Sequence, residues 1–527
     1  MTTWLDPRRW KQGATGDEGS FPMLAAIMVV MLIFAGLSFL KWGSDESFEA
    51  MRNEHKLQAY YVAHAGVVNW GFNHLLDMNP STIPPYLVWL KTNGLVTDAY
   101  GAVVGRVDVW TAPDNINEGG TGFADFNYVD VGAIGKVDIL TAEGEEYSIR
   151  DSVIVTVKLL NLSQFLYLTN METTIFGEVI KFWGADTLDG WVHSNDTISM
   201  MGGGGGPGPV FYDHVSTTAP FINVISGQPQ YLGGPPWLNY REIQLPSMAT
   251  EVRNAASSMG LFFTDDGTFQ NDLASRLVFN NNQGWTLYQW DIGVPWDSTI
   301  AMPVQSGGPP TWQAIFVEGY LEIKGIVRGQ VTVGAAGNSL AMGKNCIRLV
   351  DDLRYWMADS IYGTFNDTTG NFTDIMGLVS EGDIVVANTY ANGRNNGKFA
   401  TPTGMWRQSI LIDAAMVALG ESFTFEDQND NYLWEYSTGF ISPTYQDERG
   451  DIRIVGSVTQ NRRGYVHRNN HGAPGGGPAG GTGYGKQYHY DARFDYMAPP
   501  YFIQVADEEG DAQFEIVSWG HWENKTP

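Results

Sequence analysis

The first hydrophobic feature of the chain is an uncharged run of 20 residues, 21–40, within the stretch DEGSFPMLAAIMVVMLIFAGLSFLKWG. A helical run of this length matches the hydrocarbon thickness of a bilayer. From residue 44 to 78 no proline occurs, and one stripe of positions recurs every three or four residues, as on a helix. We therefore predict one helix over 21–78, roughly 85 Å long. The stripe consists of Phe48, Met51, His55, Ala59, Val62, Ala65, Asn69, Phe72 and Leu76.

The flanks of the apolar run decide between a cleaved secretion signal and an anchor. A secretion signal has a shorter apolar region, roughly 7–15 residues, followed by small residues. Here Phe39 and Trp42 occupy that place. Arg8, Arg9 and Lys11 precede the run, and basic residues stay on the cytoplasmic side of a membrane. The pattern predicts a spanning helix that exports the remainder of the chain.

After the helix, the pattern changes to short strands. The segment PSTIPP ends the helix, because proline cannot continue the helical hydrogen-bond ladder. The runs AVVGRVDVWT, FNYVDVGAIGKVDILT and SIRDSVIVTVKLL follow, and DSVIVTVKL alternates with a period of two. We predict a small β subdomain over 79–160 that leans on the exported half of the helix.

The middle of the chain, 161–470, contains strands of four or five residues separated by Gly, Asn or Asp at near-regular intervals. The clearest case is VEGYLEIKGIVRGQVTVGAAG, with glycines at 319, 325, 329 and 334. Glycine and asparagine tolerate positive φ at the corners of stacked coils. We predict a mainly β head built as a right-handed β-helix-like solenoid. A β-sandwich with long loops is the alternative. A Gly-rich loop and a C-terminal β segment over 471–527 complete the chain.

Charge and cysteine content exclude several classes of function. With 31 basic and 58 acidic residues the formal net charge is −27, so the body repels nucleic-acid phosphates and anionic headgroups. Cys346 is the only cysteine, which rules out an intrachain disulfide and a multi-cysteine metal site. Its apolar-flanked run is typical of a buried small hydrophobe.

Three features of the N-terminal region belong together: Gly19, the apolar run from Phe21, and QAYYVAHAG at 58–66. This region resembles type IV pilin-like proteins, most closely the PilX-like minor pilins and pilus-assembly proteins. Stretches of the body, such as LNLSQFLYLTNME and GYGKQYHYDARF, are similar to exported PilX-like proteins of uncharacterised function. The resemblance implies an assembly helix that packs against other pilin-like subunits, identical or different. The implied contact residues are Phe21, Leu24, Ile27, Met31, Phe34, Phe48, Met51, Ala59, Val62 and Gly66.

The resemblance also implies processing by a prepilin peptidase, with residues 1–20 as a cytoplasmic leader. The implied processing site comprises Gly19, Ser20 and Phe21. Because Ser20 separates the glycine from the apolar run, cleavage after Gly19, cleavage after Ser20 and no cleavage all remain open. Leu24 or Ala25 stands where major pilins carry a glutamate, which points away from a major subunit. The implied location is the inner membrane before assembly and the cell surface afterwards.

No motif predicts catalysis, and no catalytic residue is assigned. LDGWVHSND (188–196 within the head) is interpreted as a solenoid corner. Asp427, Asn429 and Asn431 are calcium candidates because their oxygens alternate as in a calcium loop, although the central glycine is missing. No other cofactor is predicted.

The sequence therefore predicts a structural subunit of a type IV pilus-like filament or its assembly machinery. A helix-anchored adhesin for surface glycans is the first alternative, since 18 Trp and 24 Tyr could supply stacking platforms. A polysaccharide-active β-helix enzyme is the second, suggested by the acids, arginine and aromatics of DDLRYW (351–356).

Overall fold

The structure is a computed structural model of the whole chain. The residues that it describes are 20–76, 87–113, 128–140, 146–174, 177–202, 206–264, 273–292, 301–336, 347–360, 373–389, 391–393, 409–426, 447–469, 481–495, 497–506 and 513–521. Gly19, Cys346 and the calcium candidates Asp427, Asn429 and Asn431 lie outside the described residues.

The N-terminal helix has the predicted length and an irregular end. Helix α1 (Ser20–Gly66) runs into a π-helical segment, Val67–Phe72, and then into α2 (Asn73–Leu76). A π-helical turn contains more residues than an α-helical turn, so it rotates the positions that follow it. The predicted stripe is accordingly wrong at its end: Asn69 is exposed, and Leu75 rather than Leu76 is fully buried.

The second half of the helix lies on an antiparallel sheet, which has five strands among the described residues. The sheet order is β1-β2-β3-β4-β29, so the C-terminal strand completes its edge beside β4. Valines that alternate along β3 and β4 point at the helix, which explains the period-two pattern of this region. The bounds are β1 (Val88–Thr97), β2 (Val103–Pro113), β3 (Tyr128–Leu140), β4 (Glu146–Leu159) and β29 (Phe514–His521).

Helix and sheet approach each other so closely that side chains are excluded at several points. A Cβ added to Gly135 of β3 would lie 2.0 Å from the Ala59 carbonyl oxygen and 2.6 Å from the Ala63 nitrogen. A Cβ added to Gly66 would lie 2.5 Å from Val107 Cγ2, and one added to Gly71 2.3 Å from Val131 Cγ1. Small residues on both sides therefore set the distance between helix and sheet.

The head comprises the remaining strands and helix α3 (Thr250–Met259). Its first strands are β5 (Tyr167–Met171), β6 (Phe182–Trp183), β7 (Thr187–Leu188), β8 (Val192–Ser194), β9 (Ser199–Met201), β10 (Val210–Phe211), β11 (Val215–Thr217), β12 (Asn223–Ser226) and β13 (Gln230–Tyr231). Those after α3 are β14 (Phe262–Phe263), β15 (Leu273–Asn280), β16 (Trp285–Asp291), β17 (Met302–Gly307), β18 (Gln313–Glu318), β19 (Tyr320–Val327), β20 (Gln330–Ala336), β21 (Ile347–Tyr355), β22 (Ile375–Ser380), β23 (Ile384–Val386), β24 (Ile410–Ala418), β25 (Phe423–Phe425), β26 (Asp447–Arg462), β27 (His467–Asn469) and β28 (Gly481–Tyr490).

Most head strands pair in parallel with a strand that is not their neighbour in sequence. One ladder runs through β14, β18, β20, β22, β24, β26, β5, β8 and β11. A second runs through β15, β19, β21, β24, β26, β28, β7, β10 and β13. The alternative expectation, a β-sandwich of antiparallel sheets, is inconsistent with this parallel pairing.

The strand order shows that the head begins in the middle of its own stack. The chain enters at β5, adds β8 and β11 on one side, and then passes through α3 to the opposite end at β14. From there it adds strands back toward its starting point, until β26 pairs with β5 and β28 pairs with β7. The last strands of the head are thereby joined to the first, and we call this junction the seam.

Both faces of the first ladder are buried. One face contributes to a large core, in which register partners stack from strand to strand: Ile315, Val333, Leu378, Met416, Val458, Tyr167, Val192 and Val215. The other face is covered by Leu162, Phe165 and residues of the α3 segment such as Val252. Burial on both faces is what parallel strands require, and it accounts for their nearly continuous apolar composition.

Three of the four glycines in VEGYLEIKGIVRGQVTVGAAG adopt the positive φ expected of them, with φ of +140° at Gly319, +117° at Gly325 and +113° at Gly329. Gly334 serves another purpose, because a Cβ there would lie 2.5 Å from the Phe316 ring.

His193, from LDGWVHSND, is a fully buried member of β8. Its Nδ1 lies 2.8 Å from the Ser216 hydroxyl oxygen, and its Nε2 lies 2.9 Å from Asn195 Oδ1. Burial lowers the pKa of His193 from 6.5 to about 4, because the charged imidazolium would lose its hydration. His193 is therefore neutral at pH 7, and its two ring nitrogens connect Asn195 with Ser216 of the neighbouring strand β11.

The first prediction concerns the helix and sheet contact. Gly135→Ala should lower the midpoint of thermal unfolding of the full-length chain, because the new methyl group meets backbone atoms that cannot rotate away. Overpacking of this kind costs about 1–3 kcal/mol. Gly520→Ala is the matched control, since a Cβ added there in β29 meets nothing within 4 Å. Equal midpoints for the two variants would contradict the described contact.

The second prediction concerns acid sensitivity. Because the folded pKa of His193 is depressed, its contribution is complete above the unfolded value of 6.5 and is lost as pH falls toward about 4. This loss amounts to about 3 kcal/mol. His193→Gln removes the titration, so its unfolding midpoint should fall less than the wild-type midpoint between about pH 7 and pH 5. His214→Gln, at a half-exposed side chain, is the control. A variant as acid-sensitive as the wild type would refute the assignment.

Candidate assembly surface

The first part of α1 is exposed and apolar on all sides. Leu24, Ile27, Met31 and Phe34 are all exposed, and so are the apolar residues between them; Phe34, for example, has 65% of its surface accessible. A helix that is apolar all round is not stable in water and requires lipid or other helices around it. Among the described residues one helix, Pro22–Leu76, is long and apolar enough to cross a membrane.

The middle of the helix, residues 44–56, is mostly polar. Its two large apolar residues, Phe48 and Met51, face the same side as the buried stripe. Phe48 and Met51 precede His55 and Ala59 at helical spacing, yet both are exposed. The chain's own sheet covers the stripe only from about Ala59 onward. Phe48 and Met51 therefore extend an apolar stripe beyond the part that this chain covers.

The second half of the helix is fixed to the sheet by polar and aromatic contacts. Gln58 Nε2 donates a hydrogen bond of 2.9 Å to the Val104 carbonyl oxygen of β2. On the other edge, the C-terminal strand β29 contributes rings: His64 lies 4.5 Å from Trp519, and Phe72 lies 5.3 Å from Phe514, between ring centroids. These contacts hold the stem in one orientation relative to the sheet.

The expectation that Ala59, Val62 and Gly66 contact other subunits is corrected by these contacts. All three are buried against the chain's own sheet, and the close approach that their small size allows is intramolecular. At the implied processing site, Ser20 and Phe21 are the first two residues of α1, and Gly19 lies outside the described residues.

A row on the opposite side of the helix was missed by the sequence analysis. Leu57, Tyr61 and Val68 are exposed apolar residues, spaced by four and seven positions, that point away from the sheet. Tyr61 has 60% of its surface accessible. Spacings of four and seven residues do indicate one face of a helix. The stripe that contains Ala59, Val62 and Ala65 has more members, and the predicted packing face rests on it alone.

Other chemistry singled out in the sequence has structural partners. In DDLRYW, Asp352 Oδ1 accepts a hydrogen bond from the Leu411 nitrogen, and Asp351 lies 3.4 Å from Lys324 Nζ. Within the described ranges, no group of three or more His, Cys, Asp or Glu side chains is placed to hold a metal ion.

Comparisons with known proteins add little. No protein-family model matches the chain, and no curated protein matches it. Among solved structures, the chain is similar to the competence-associated pilin ComZ from Thermus thermophilus, with 12% sequence identity and a TM-score of 0.29. That alignment covers 89% of this chain and 97% of the other.

Proposed function

We propose that this chain is a pilin-like structural subunit of a type IV pilus-like surface filament or of its assembly machinery. The observation that carries the proposal is the division of one helix into two environments. Its first part is apolar and exposed all round, while its second part is covered by the chain's own sheet. A stem of this kind can pass from lipid into a bundle of identical or related helices without refolding.

The energetic reason for assembly lies in the exposed half. Each fully buried apolar side chain contributes roughly 1.5–3 kcal/mol relative to exposure in water. In the inner membrane lipid already covers this surface, and in a filament neighbouring stems would replace the lipid, so the net gain on assembly comes from packing between helices rather than from removal of water. The row Leu57, Tyr61 and Val68, together with Phe48 and Met51, gives neighbouring subunits apolar contacts beyond the bilayer-length run.

The head is the displayed part of the subunit in this proposal. The parallel ladders, stacked cores and corner glycines support a β-solenoid that projects from the stem sheet. The proposed role is structural rather than enzymatic.

Processing is the remaining part of the proposal. A prepilin peptidase would cut after Gly19 and expose Ser20 as the new N-terminus, or cut after Ser20 and expose Phe21. Mass spectrometry of subunits from sheared surface material reads this directly. Material that retains Met1 would refute processing, whereas stem assembly would still be judged by the variants below.

The third prediction separates membrane insertion from assembly. Tyr61→Asp places a charge on the outward row, beyond the apolar run, so the protein should still reach the membrane but should enter filaments at a small fraction of the wild-type level. Phe34→Asp should impair both steps, because a carboxylate at mid-bilayer depth costs about 2.5–3.5 kcal/mol on insertion scales. The measurement compares subunit in the membrane fraction with subunit in sheared filaments.

The matched control is Tyr100→Asp, which makes the same substitution at a tyrosine that is 95% exposed outside the stem. It should assemble as the wild type does. Wild-type incorporation of Tyr61→Asp, or a filament map in which residues 21–76 lie outside the core, would overturn the proposal.

A further inference from the structure

A cavity of about 790 Å³ lies at the seam of the head. Its walls come from the first coils, through Tyr167, Phe182 and Trp183, and from the last coils, through Tyr465, Lys486 and Tyr488. The volume lies within the roughly 300–1,000 Å³ range typical of small-ligand sites. Since the two halves of the wall are about 300 residues apart in the chain, the cavity exists only when the seam is closed.

Aromatic rings dominate the walls. Tyr167 and Tyr488 stack with ring centroids 6.3 Å apart, and Phe182 meets Tyr167 edge to face at 5.7 Å. Trp183 differs from these buried rings because 39% of its surface is accessible. Its backbone is nevertheless held, since the Trp183 nitrogen donates a hydrogen bond of 2.9 Å to Asp186 Oδ2. Trp183 is thus a partly open aromatic face on a fixed turn.

The polar groups of the cavity are few and converge. Lys486 Nζ lies 3.2 Å from Asp186 Oδ2, so an ammonium and a carboxylate stand side by side in the wall. The Tyr488 hydroxyl, in a residue that is almost fully buried, makes no hydrogen bond to the described residues. Burial raises the pKa of Tyr488 well above its usual value, so its hydroxyl remains a donor at neutral pH.

The buried charges of Arg463 and Lys486 at the cavity are already paired, whereas Lys181 Nζ in the same wall lies 3.5 Å from the Val179 carbonyl oxygen. The Arg463 guanidinium donates a hydrogen bond of 2.6 Å to Glu172, both side chains are buried, and the cation lies 3.7 Å above the centre of the Phe182 ring. Lys486 is paired with Asp186. A charged ligand would have to compete with these internal partners, and an anion would also meet the field of a chain with net charge −27. A neutral ligand with several hydroxyl groups can use the remaining donors and acceptors of both members of a pair.

We propose that the seam cavity binds a short neutral oligosaccharide, with one sugar face packed on Trp183 and its hydroxyl groups bonded to Asp186, Lys486 and Tyr488. The C–H face of a sugar ring is apolar and fits an aromatic wall, whereas its rim of hydroxyl groups both donates and accepts. This site lies in the head and is independent of the stem, so it extends the proposed structural role without depending on it.

The fourth prediction tests the site with the full-length protein in a zwitterionic detergent, because alkyl-glycoside detergents would compete for a sugar site. The probes are an array of neutral and acidic oligosaccharides, followed by titration calorimetry with the best neutral trisaccharide. Trp183→Ala should weaken binding about tenfold or more, since it removes the stacking face. Trp89→Ala, at an exposed tryptophan of β1, is the matched control and should bind as the wild type does.

Tyr488→Phe distinguishes a ligand contact from a structural role. The hydroxyl that it removes has no partner in the described structure, so the unfolding midpoint should not fall, while affinity for the trisaccharide should drop severalfold. Unchanged affinity of Trp183→Ala or Tyr488→Phe would overturn the assignment of the site. Absence of binding to every neutral glycan, or binding confined to acidic glycans, would overturn the ligand class. Filament assembly of the same variants reports on the stem alone and keeps the two proposals distinguishable.

Discussion

The contact between the small-residue face of the helix and the five-stranded sheet is the constraint on which the rest of the molecule depends. A Cβ added to Gly66 or Gly71 of the helix would collide with valine side chains of the sheet, and one added to Gly135 of β3 would collide with the helix backbone. The valine layer between them forms its own hydrophobic core. Because this core covers only the second half of the helix, it leaves the apolar first half exposed.

Closure of the head at the seam is the second constraint, and it is of a different kind. The helix and sheet core joins elements that are near in sequence, except for β29. The seam joins β5 to β26 and β7 to β28, about 290–300 residues apart. Forming contacts between such distant residues costs loop-closure entropy. The edges of β5 and β7 therefore stay uncovered until β26 and β28 have been added. The buried Arg463 and Glu172 pair lies at this junction and can form only when the seam is closed.

The sequence was informative where a single element determines its own pattern. The apolar run and the helical spacing after it predicted one long helix, and period-two alternation in DSVIVTVKL predicted β4. Corner glycines such as Gly325 anticipated positive φ. The sequence pattern does not tell which surface packs against a given face of an element. The stripe through Ala59 and Gly66 says that something packs closely there, but not whether the partner is another subunit or the chain's own sheet.

The same limit explains what was missed elsewhere. No proline or charged residue in the sequence marks the π-helical segment Val67–Phe72. The segment rotates the helix so that Asn69 does not lie on its buried face. The two sequence segments that contain Trp183 and Lys486 carry no recognisable motif, so neither segment alone indicates a binding site. The two segments come together because of the order in which the strands pair. The chain enters that order in its middle, at β5, and local periodicity does not reveal this.

The C-terminal strand connects these two constraints. β29 is the last strand of the described chain, yet it completes the sheet under the stem and places Trp519 and Phe514 against His64 and Phe72. The platform that holds the stem is therefore incomplete until the whole head has been synthesised. The apolar half of the helix lies outside this platform both before and after β29 joins it, so it requires lipid or other helices around it at every stage. The order of synthesis therefore concerns the small-residue face alone, which gains its last contacts when the C-terminal strand is added.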